Sequence, residues 1–228
     1  VALYAIGDPH LSLGSSKPMD VFGGAWTGYV EKLKKGFESI GPEDTVVLCG
    51  DISWGMSLTE SKEDFAFLDA LPGQKIILKG NHDYWWATAS KMERFFEEHG
   101  FSSFRILHNN CHAYGEYALC GTRGWFFEED MKAQNQKVFN RELLRLETSL
   151  KAAGEREIIC FLHYPPCYQG YRCEPILALL EAYGVSRCYY GHLHGASTRL
   201  AMQGKQNGVD YRLISADYVK FRPEKICD

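Results

Sequence analysis

The sequence predicts an α/β fold built on two sheets. Short apolar runs of strand length alternate with segments of helical period over the first hundred residues, as in parallel βαβ architecture. Most of these runs end in a small block of Asp, Asn and His side chains, which places polar groups at the ends of buried strands. From about residue 104 the alternation gives way to further strand-like pieces, so a second sheet is expected.

Leu3 to Ile6 reads as the first strand, followed by a Gly-, Ser- and Pro-containing loop from Leu11 to Ala25. A helix is expected from Trp26, because Trp26, Tyr29, Val30, Leu33, Phe37 and Ile40 recur at helical spacing, with Glu31, Lys32, Lys34 and Lys35 on the wet side. Thr45 to Cys49 forms a second strand, and Ser57 with Glu60 predicts a capping box for a helix through Phe65, Leu68 and Leu71, which Pro72-Gly73 ends. Lys75 to Lys79 is a third strand, and a helix with Met92, Phe95 and Phe96 ends at His99-Gly100. Strand-like pieces follow near Phe104 to Leu107 and Ala113 to Thr122, then a long helix from about Lys132 to Ala153. Glu157 to Leu162 is a strand, Pro175 to Tyr183 a helix and Arg187 to Tyr190 a strand. Ser197 to Met202 and Val209 to Ser215 are read as strands flanking Asn207-Gly208, a strong hairpin turn signal.

Five blocks fall in order along these elements: Asp8-Pro9-His10, Gly50-Asp51, Gly80-Asn81-His82-Asp83, His163, and Gly191-His192-Leu193-His194. Each offers hard oxygen or imidazole ligands suited to a divalent metal. Alternation along an extended turn is expected to put Asp8 and His10 on one side, with Pro9 fixing the turn between them. Taken alone, Asp-Pro-His or Gly-Asp is an ordinary turn; order and strand-end context carry the reading.

At 228 residues, with 45% hydrophobic and 14% aromatic side chains, the whole chain (1–228) is read as a single domain with a large core. The net charge is -4 and the lysines and arginines are scattered, so there is no basic field to concentrate long nucleic acid. The first residues lack the charged start and apolar stretch of a signal peptide, and no apolar run reaches the ~18 residues of a membrane span. A cytoplasmic, soluble protein is expected. The eight cysteines offer no CxxC spacing, and Cys49, Cys160 and Cys188 fall inside apolar strands, so reduced core thiols are expected rather than a zinc site or disulfides.

The pattern D-x-H, GD, GNH[DE], H and GHxH, complete and in order from residue 8 to 194, resembles that of the calcineurin-like metallophosphoesterases. The resemblance implies a four-layer αββα sandwich of two mixed sheets flanked by helices. It also implies two divalent ions, drawn from Mn, Fe, Zn, Ni or Co. Asp8, His10, Asp51 and His194 would hold one ion, and Asp51 would bridge to a second held by Asn81, His163 and His192. His82 would protonate the leaving oxygen or stabilise charge on the phosphoryl group. Two ions ~3.5 to 4 Å apart lower the pKa of a shared water and clamp a phosphoryl group for in-line attack. Asp51-Ile52-Ser53-Trp54-Gly55 lacks the Asp-Arg-Gly of the protein serine/threonine phosphatases, and Trp54 stands where purple acid phosphatases place a tyrosine ligand, so neither branch is expected. In the protein phosphatases the aspartate of that triplet orients the catalytic histidine; without it the partner of His82 is open, with Asp83 a candidate for it or for stabilising the turn.

The expected activity is hydrolysis of a small phosphodiester or phosphomonoester. A binding scaffold without turnover and a nuclease on short oligonucleotides are the alternatives. Trp54, Tyr84-Trp85-Trp86, Trp125-Phe126-Phe127, Tyr164 and Tyr168 pack the core or offer a wall for a base or aryl group. Arg123 is read as a phosphate clamp or a surface ion pair. Glu128-Glu129-Asp130 is read as a solvated helix start, or as repelling polyanions if it lies near the mouth of the site.

Overall fold

The computed structural model describes residues 1–126 and 133–228, with side chains of the 133–151 helix from residue 135 onward. In chain order the strands and α-helices are β1 (Leu3–Ile6), α1 (Tyr29–Gly36), β2 (Thr45–Cys49), α2 (Lys62–Ala70), β3 (Gln74–Leu78), α3 (Ala89–Glu98), β4 (Phe104–Ile106), β5 (His112–Tyr114), β6 (Tyr117–Thr122), α4 (Ala133–Lys151), β7 (Glu157–Leu162), β8 (Cys167–Tyr168), β9 (Tyr171–Arg172), α5 (Glu174–Ala182), β10 (Arg187–Tyr190), β11 (Gly204–Gln206), β12 (Val209–Leu213) and β13 (Glu224–Cys227). Two large mixed sheets flanked by helices result, the α/β class expected. They belong to two compact units, one formed by Val1–Ile106 with Ile214–Asp228, the other by Leu107–Leu213.

In the first unit the sheet runs β13-β1-β2-β3-β4, parallel except for β13. Val46, Leu48 and Ile77 on one face pack with Tyr29, Leu33 and Phe37 from the α1 segment, Phe65 and Leu68 of α2, and Met92 and Phe96 of α3. Val47, Ile76 and Leu78, on the alternate positions, are also buried, as strands of a parallel sheet require. In the second unit the order is β11-β12-β10-β7-β6-β5, and β12, β10, β7 and β6 run parallel. Leu146 and Leu150 of α4 and Ile176, Leu177 and Leu180 of α5 fill its core with Cys120, Cys160 and Cys188, which lie in register on β6, β7 and β10. All eight cysteines are free thiols. Burial pushes the Cys167 thiol up to about 11 and raises Cys120, and the Cys188 thiol together with burial raises Cys160, so these thiols act as small hydrophobes.

Several element boundaries differ from the sequence reading. Helix α1 starts at Tyr29 rather than Trp26, because Gly23, Gly24 and Gly28 all have positive φ and break the run that contains Trp26. Glu60 N–H does donate to Ser57 Oγ (3.3 Å), but the Glu60 carboxylate accepts from Met56, and this turn precedes α2, which begins only at Lys62. Ser197 to Met202 is not a strand. Gly195–Leu200 is a 3-10 turn, held by Ser197 and Thr198 hydroxyls that donate to the carbonyls of His194 and Gly195. The strand before Asn207-Gly208 is the shorter β11, and Asn207 and Gly208 both take the positive φ that a tight hairpin needs. The β8–β9 hairpin and β13 carried no sequence signal strong enough to be read. Lys132, Phe127 and the acidic run Glu128, Glu129 and Asp130 lie outside the described residues.

No helix among the described residues is long and apolar enough to cross a membrane.

Candidate functional site

In the first unit the motif blocks leave the C-terminal ends of three adjacent parallel strands: Asp8 and His10 after β1, Asp51 after β2, and Asn81 and His82 after β3. Parallel neighbours bring such ends together without further design. Their loops are then tied to one another. Asp8 N–H donates to the Gly50 carbonyl at 3.0 Å, His10 N–H to Asp51 at 2.9 Å, and Leu11 N–H to Ile52 at 2.9 Å. The Tyr29 hydroxyl of α1 donates to the His10 carbonyl at 3.2 Å.

Asp8, His10 and Asp51 are all but fully buried, and all three have left-handed backbones, with φ of 57°, 47° and 50°. Strict extended alternation is therefore not what aligns Asp8 and His10; two successive left-handed positions around Pro9 do. Such strain in non-glycine residues collects where side chains must be aimed. Asp8 and His10 bring a carboxylate oxygen and a ring nitrogen within 4.8 Å of each other, and His10 Nε2 stands 3.7 Å from Asp51 Oδ2. Asp51 Oδ1 accepts the His82 N–H at 2.8 Å.

Asp83 organises this half. Its fully buried carboxylate accepts N–H groups from Asp51 (2.9 Å), Ile52 (2.8 Å) and Gly80 (2.7 Å), and the indole of Trp85 at 3.0 Å. It thus fixes the turn that presents Asp51. The His82 ring packs instead against Trp54, centroids 4.5 Å apart, and Trp54 also stacks on His10 at 5.1 Å. Trp54 is a ring neighbour of both imidazoles, and Lys17 Nζ lies 5.4 Å from its centroid.

In the second unit His163 follows β7, and His192 and His194 follow the adjacent parallel β10. Gly191 N–H donates to the His163 carbonyl at 3.1 Å, which ties the two loops together. The rings of His163 and His192 are 5.2 Å apart between centroids, each with a nitrogen within 4.8 Å of one of the other. His163 is fully buried, and His192 has φ 72°. Ser197 Oγ accepts the His194 N–H at 3.0 Å and sets the loop after it. Arg123 follows β6, which pairs with β7, and its carbonyl accepts the N–H groups of His163 and Tyr164. Its guanidinium lies 6.0 Å from the Tyr164 centroid.

The calcineurin-like phosphoesterase model matches residues 2–196, a span that contains all five blocks. This chain belongs to that family. No curated protein matches it. Among solved structures, the phosphopantetheinyl hydrolase of Mycobacterium tuberculosis is similar in fold, with TM-score 0.60 and 13% identity, covering 99% of this chain and 95% of that one. A protein of unknown function from Aquifex aeolicus is similar at TM-score 0.55 and 15% identity, covering 98% and 95%. As a calcineurin-like phosphoesterase the chain is expected to bind divalent metal, and its donors fit one: carboxylates and imidazoles without thiolate, of which Asp8, His10, Asp51 and His163 are buried and Asp8, His10, Asp51 and His192 have left-handed backbones. Tyr29, and Asp64, whose carboxylate accepts the Leu13 N–H and the Ser53 hydroxyl, had no motif to mark them.

Proposed function

We propose that this protein hydrolyses a small phosphodiester or phosphomonoester with a dinuclear metal centre. Asp8, His10, Asp51 and His194 would hold one ion, and Asp51, Asn81, His163 and His192 the other. The observation that carries this reading is the aimed set of Asp8, His10 and Asp51, three buried left-handed residues at the ends of adjacent strands. The His163–His192 pair supports it from the second unit.

When bound, the ions supply Lewis acidity to the phosphoryl oxygens and to the attacking water. The chain's residues do the rest. Water adds to phosphorus and releases a proton to solvent as the P–O bond to the alcohol breaks, and His82, protonated as imidazolium, gives a ring proton to the departing oxygen and is left as neutral imidazole. Its backbone N–H on Asp51 Oδ1 fixes where that ring starts. Trp54 packs against the His82 ring and limits its rotation.

The test compares p-nitrophenyl phosphate with bis(p-nitrophenyl) phosphate on chelated protein reloaded with Mn, Fe, Zn, Ni or Co. Turnover that follows metal loading near two equivalents is expected. Metal-independent turnover, or none with any ion, would reject the assignment.

A further inference from the structure

The second unit contains a cavity of about 780 Å³, lined by Tyr168, Tyr171, Arg172, Arg199, Leu200 and Gln206 among others. Cavities of this size hold whole organic ligands. Two chain segments make most of it, each the continuation of a proposed ligand loop, and Gln206 of β11 completes it. From His163 the chain passes Pro165-Pro166 into the β8–β9 hairpin; from His194 it enters the Gly195–Leu200 turn. The segments are joined where Gln169 N–H donates to the Leu200 carbonyl at 2.8 Å and where Tyr168 bridges Ala201.

An aromatic path leads from the histidines to this cavity. The Phe126 ring stands edge-on to His192, centroids 5.2 Å apart, and lies nearly parallel to Tyr168 at 5.7 Å and to Tyr171 at 5.7 Å. Tyr168 and Tyr171 stack on each other at 4.9 Å, and the Tyr171 hydroxyl donates to the Trp125 carbonyl at 3.1 Å. Among the described residues, ring surface therefore runs from the vicinity of His192 to the cavity.

The cavity's polar groups then select what occupies its far part. Arg172 is already ion-paired, its Nε 2.6 Å from Glu174. Arg199 is exposed and has no acidic partner among the described residues. Among the described residues no carboxylate lines the cavity. Gln169 and Gln206 add amides, which both donate and accept. An uncommitted guanidinium beside stacked phenols and amides is suited to an anion attached to a ring system.

We infer that this cavity binds the alcohol portion of the substrate, and that this portion carries a heteroaromatic ring and a second anionic group, as in a nucleoside bisphosphate. Its role as a leaving-group site rests on the hydrolase reading above; its occupation does not.

Binding is therefore measured by calorimetry on the metal-free full chain with adenosine 3′,5′-bisphosphate, adenosine and inorganic phosphate. The bisphosphate is expected to bind at least tenfold more tightly than either of the others. Arg199→Gln should bring the bisphosphate to within about twofold of adenosine, and Tyr168→Ala should weaken adenosine and bisphosphate alike. Arg199 is exposed, so its variant tests the site without disturbing the core. A bisphosphate no tighter than adenosine, or unaffected by Arg199→Gln, overturns the second-anion assignment; phosphate as tight as the bisphosphate overturns the ring. Protein that hydrolyses the bis ester yet shows no such binding loses only the cavity, and protein that binds but does not hydrolyse loses only the hydrolase reading.

Discussion

The Asp83 carboxylate accepts the backbone N–H of Asp51 at 2.9 Å, so the proposed bridging ligand is held by a side chain from the neighbouring strand's loop. The same carboxylate accepts Ile52 and Gly80 N–H and the Trp85 indole, which makes it the fixed point of both turns. We predict that Asp83→Asn weakens metal binding about 10–100-fold, the usual effect of losing a group that orients ligands. An amide offers one acceptor oxygen where the carboxylate has two, and its NH₂ faces N–H donors. Mn affinity measured by competition with a chelating dye would expose the effect, and wild-type affinity in this variant would show that the turn holds without it.

Gly80 marks how closely the two turns approach. A Cβ there would fall 2.1 Å from Asp51 Oδ1 and 2.2 Å from Asp51 N, neither of which can move without moving the ligand. Gly80→Ala is expected to retain fewer than one metal per chain after dialysis while its far-ultraviolet circular dichroism stays near wild type. Two retained equivalents would mean that the β2 and β3 loops separate at little cost.

Asp51 and His82 should fail in different ways. Asp51→Asn should lose metal and turnover together, whereas His82→Ala should keep its metal and lose roughly 10²–10⁴-fold in turnover, the range for a proton-transfer group. Metal content by atomic emission alongside bis(p-nitrophenyl) phosphate hydrolysis separates the two. A His82→Ala variant that also loses metal would move that residue into the ligand set.

The strands were legible because buried parallel strands are written as unbroken apolar runs, and Thr45–Cys49 and Glu157–Leu162 were read to the residue. The candidate site residues stand out for the same reason, since each follows such a run. What the pattern could not convey was conformation and bracing. Asp8 and His10 share a side through left-handed backbones that Asp-Pro-His does not announce. The purpose of Asp83 became clear only from the N–H groups converging on it, three of them from residues 51, 52 and 80. The Ser197 segment reads as a strand by composition, but its hydroxyls bond to local carbonyls, an effect of side-chain chemistry that periodicity does not register.

Asp64 offers a test of the bracing by pH. It lies fully buried in the first turn of α2 and accepts the Leu13 N–H at 2.7 Å and the Ser53 hydroxyl at 2.5 Å, thereby linking the loops that carry His10 and Asp51. Burial raises its pKa from 3.8 to about 6, more than the Ser53 and Leu13 hydrogen bonds lower it. The unfolded chain ionises this group near 3.8 and the folded chain only near 6, so the folded state holds the extra proton between those values. Its contribution to stability is therefore largest below pH 3.8, falls as the pH rises to 6, and is constant above. Asp64→Asn cannot ionise and lacks that slope. Urea unfolding of both proteins should show the wild-type advantage shrinking by on the order of 2 kcal/mol between pH 4 and pH 6.5. A difference that stays level across this range would mean that Asp64 is solvated or paired well enough to ionise normally within the fold.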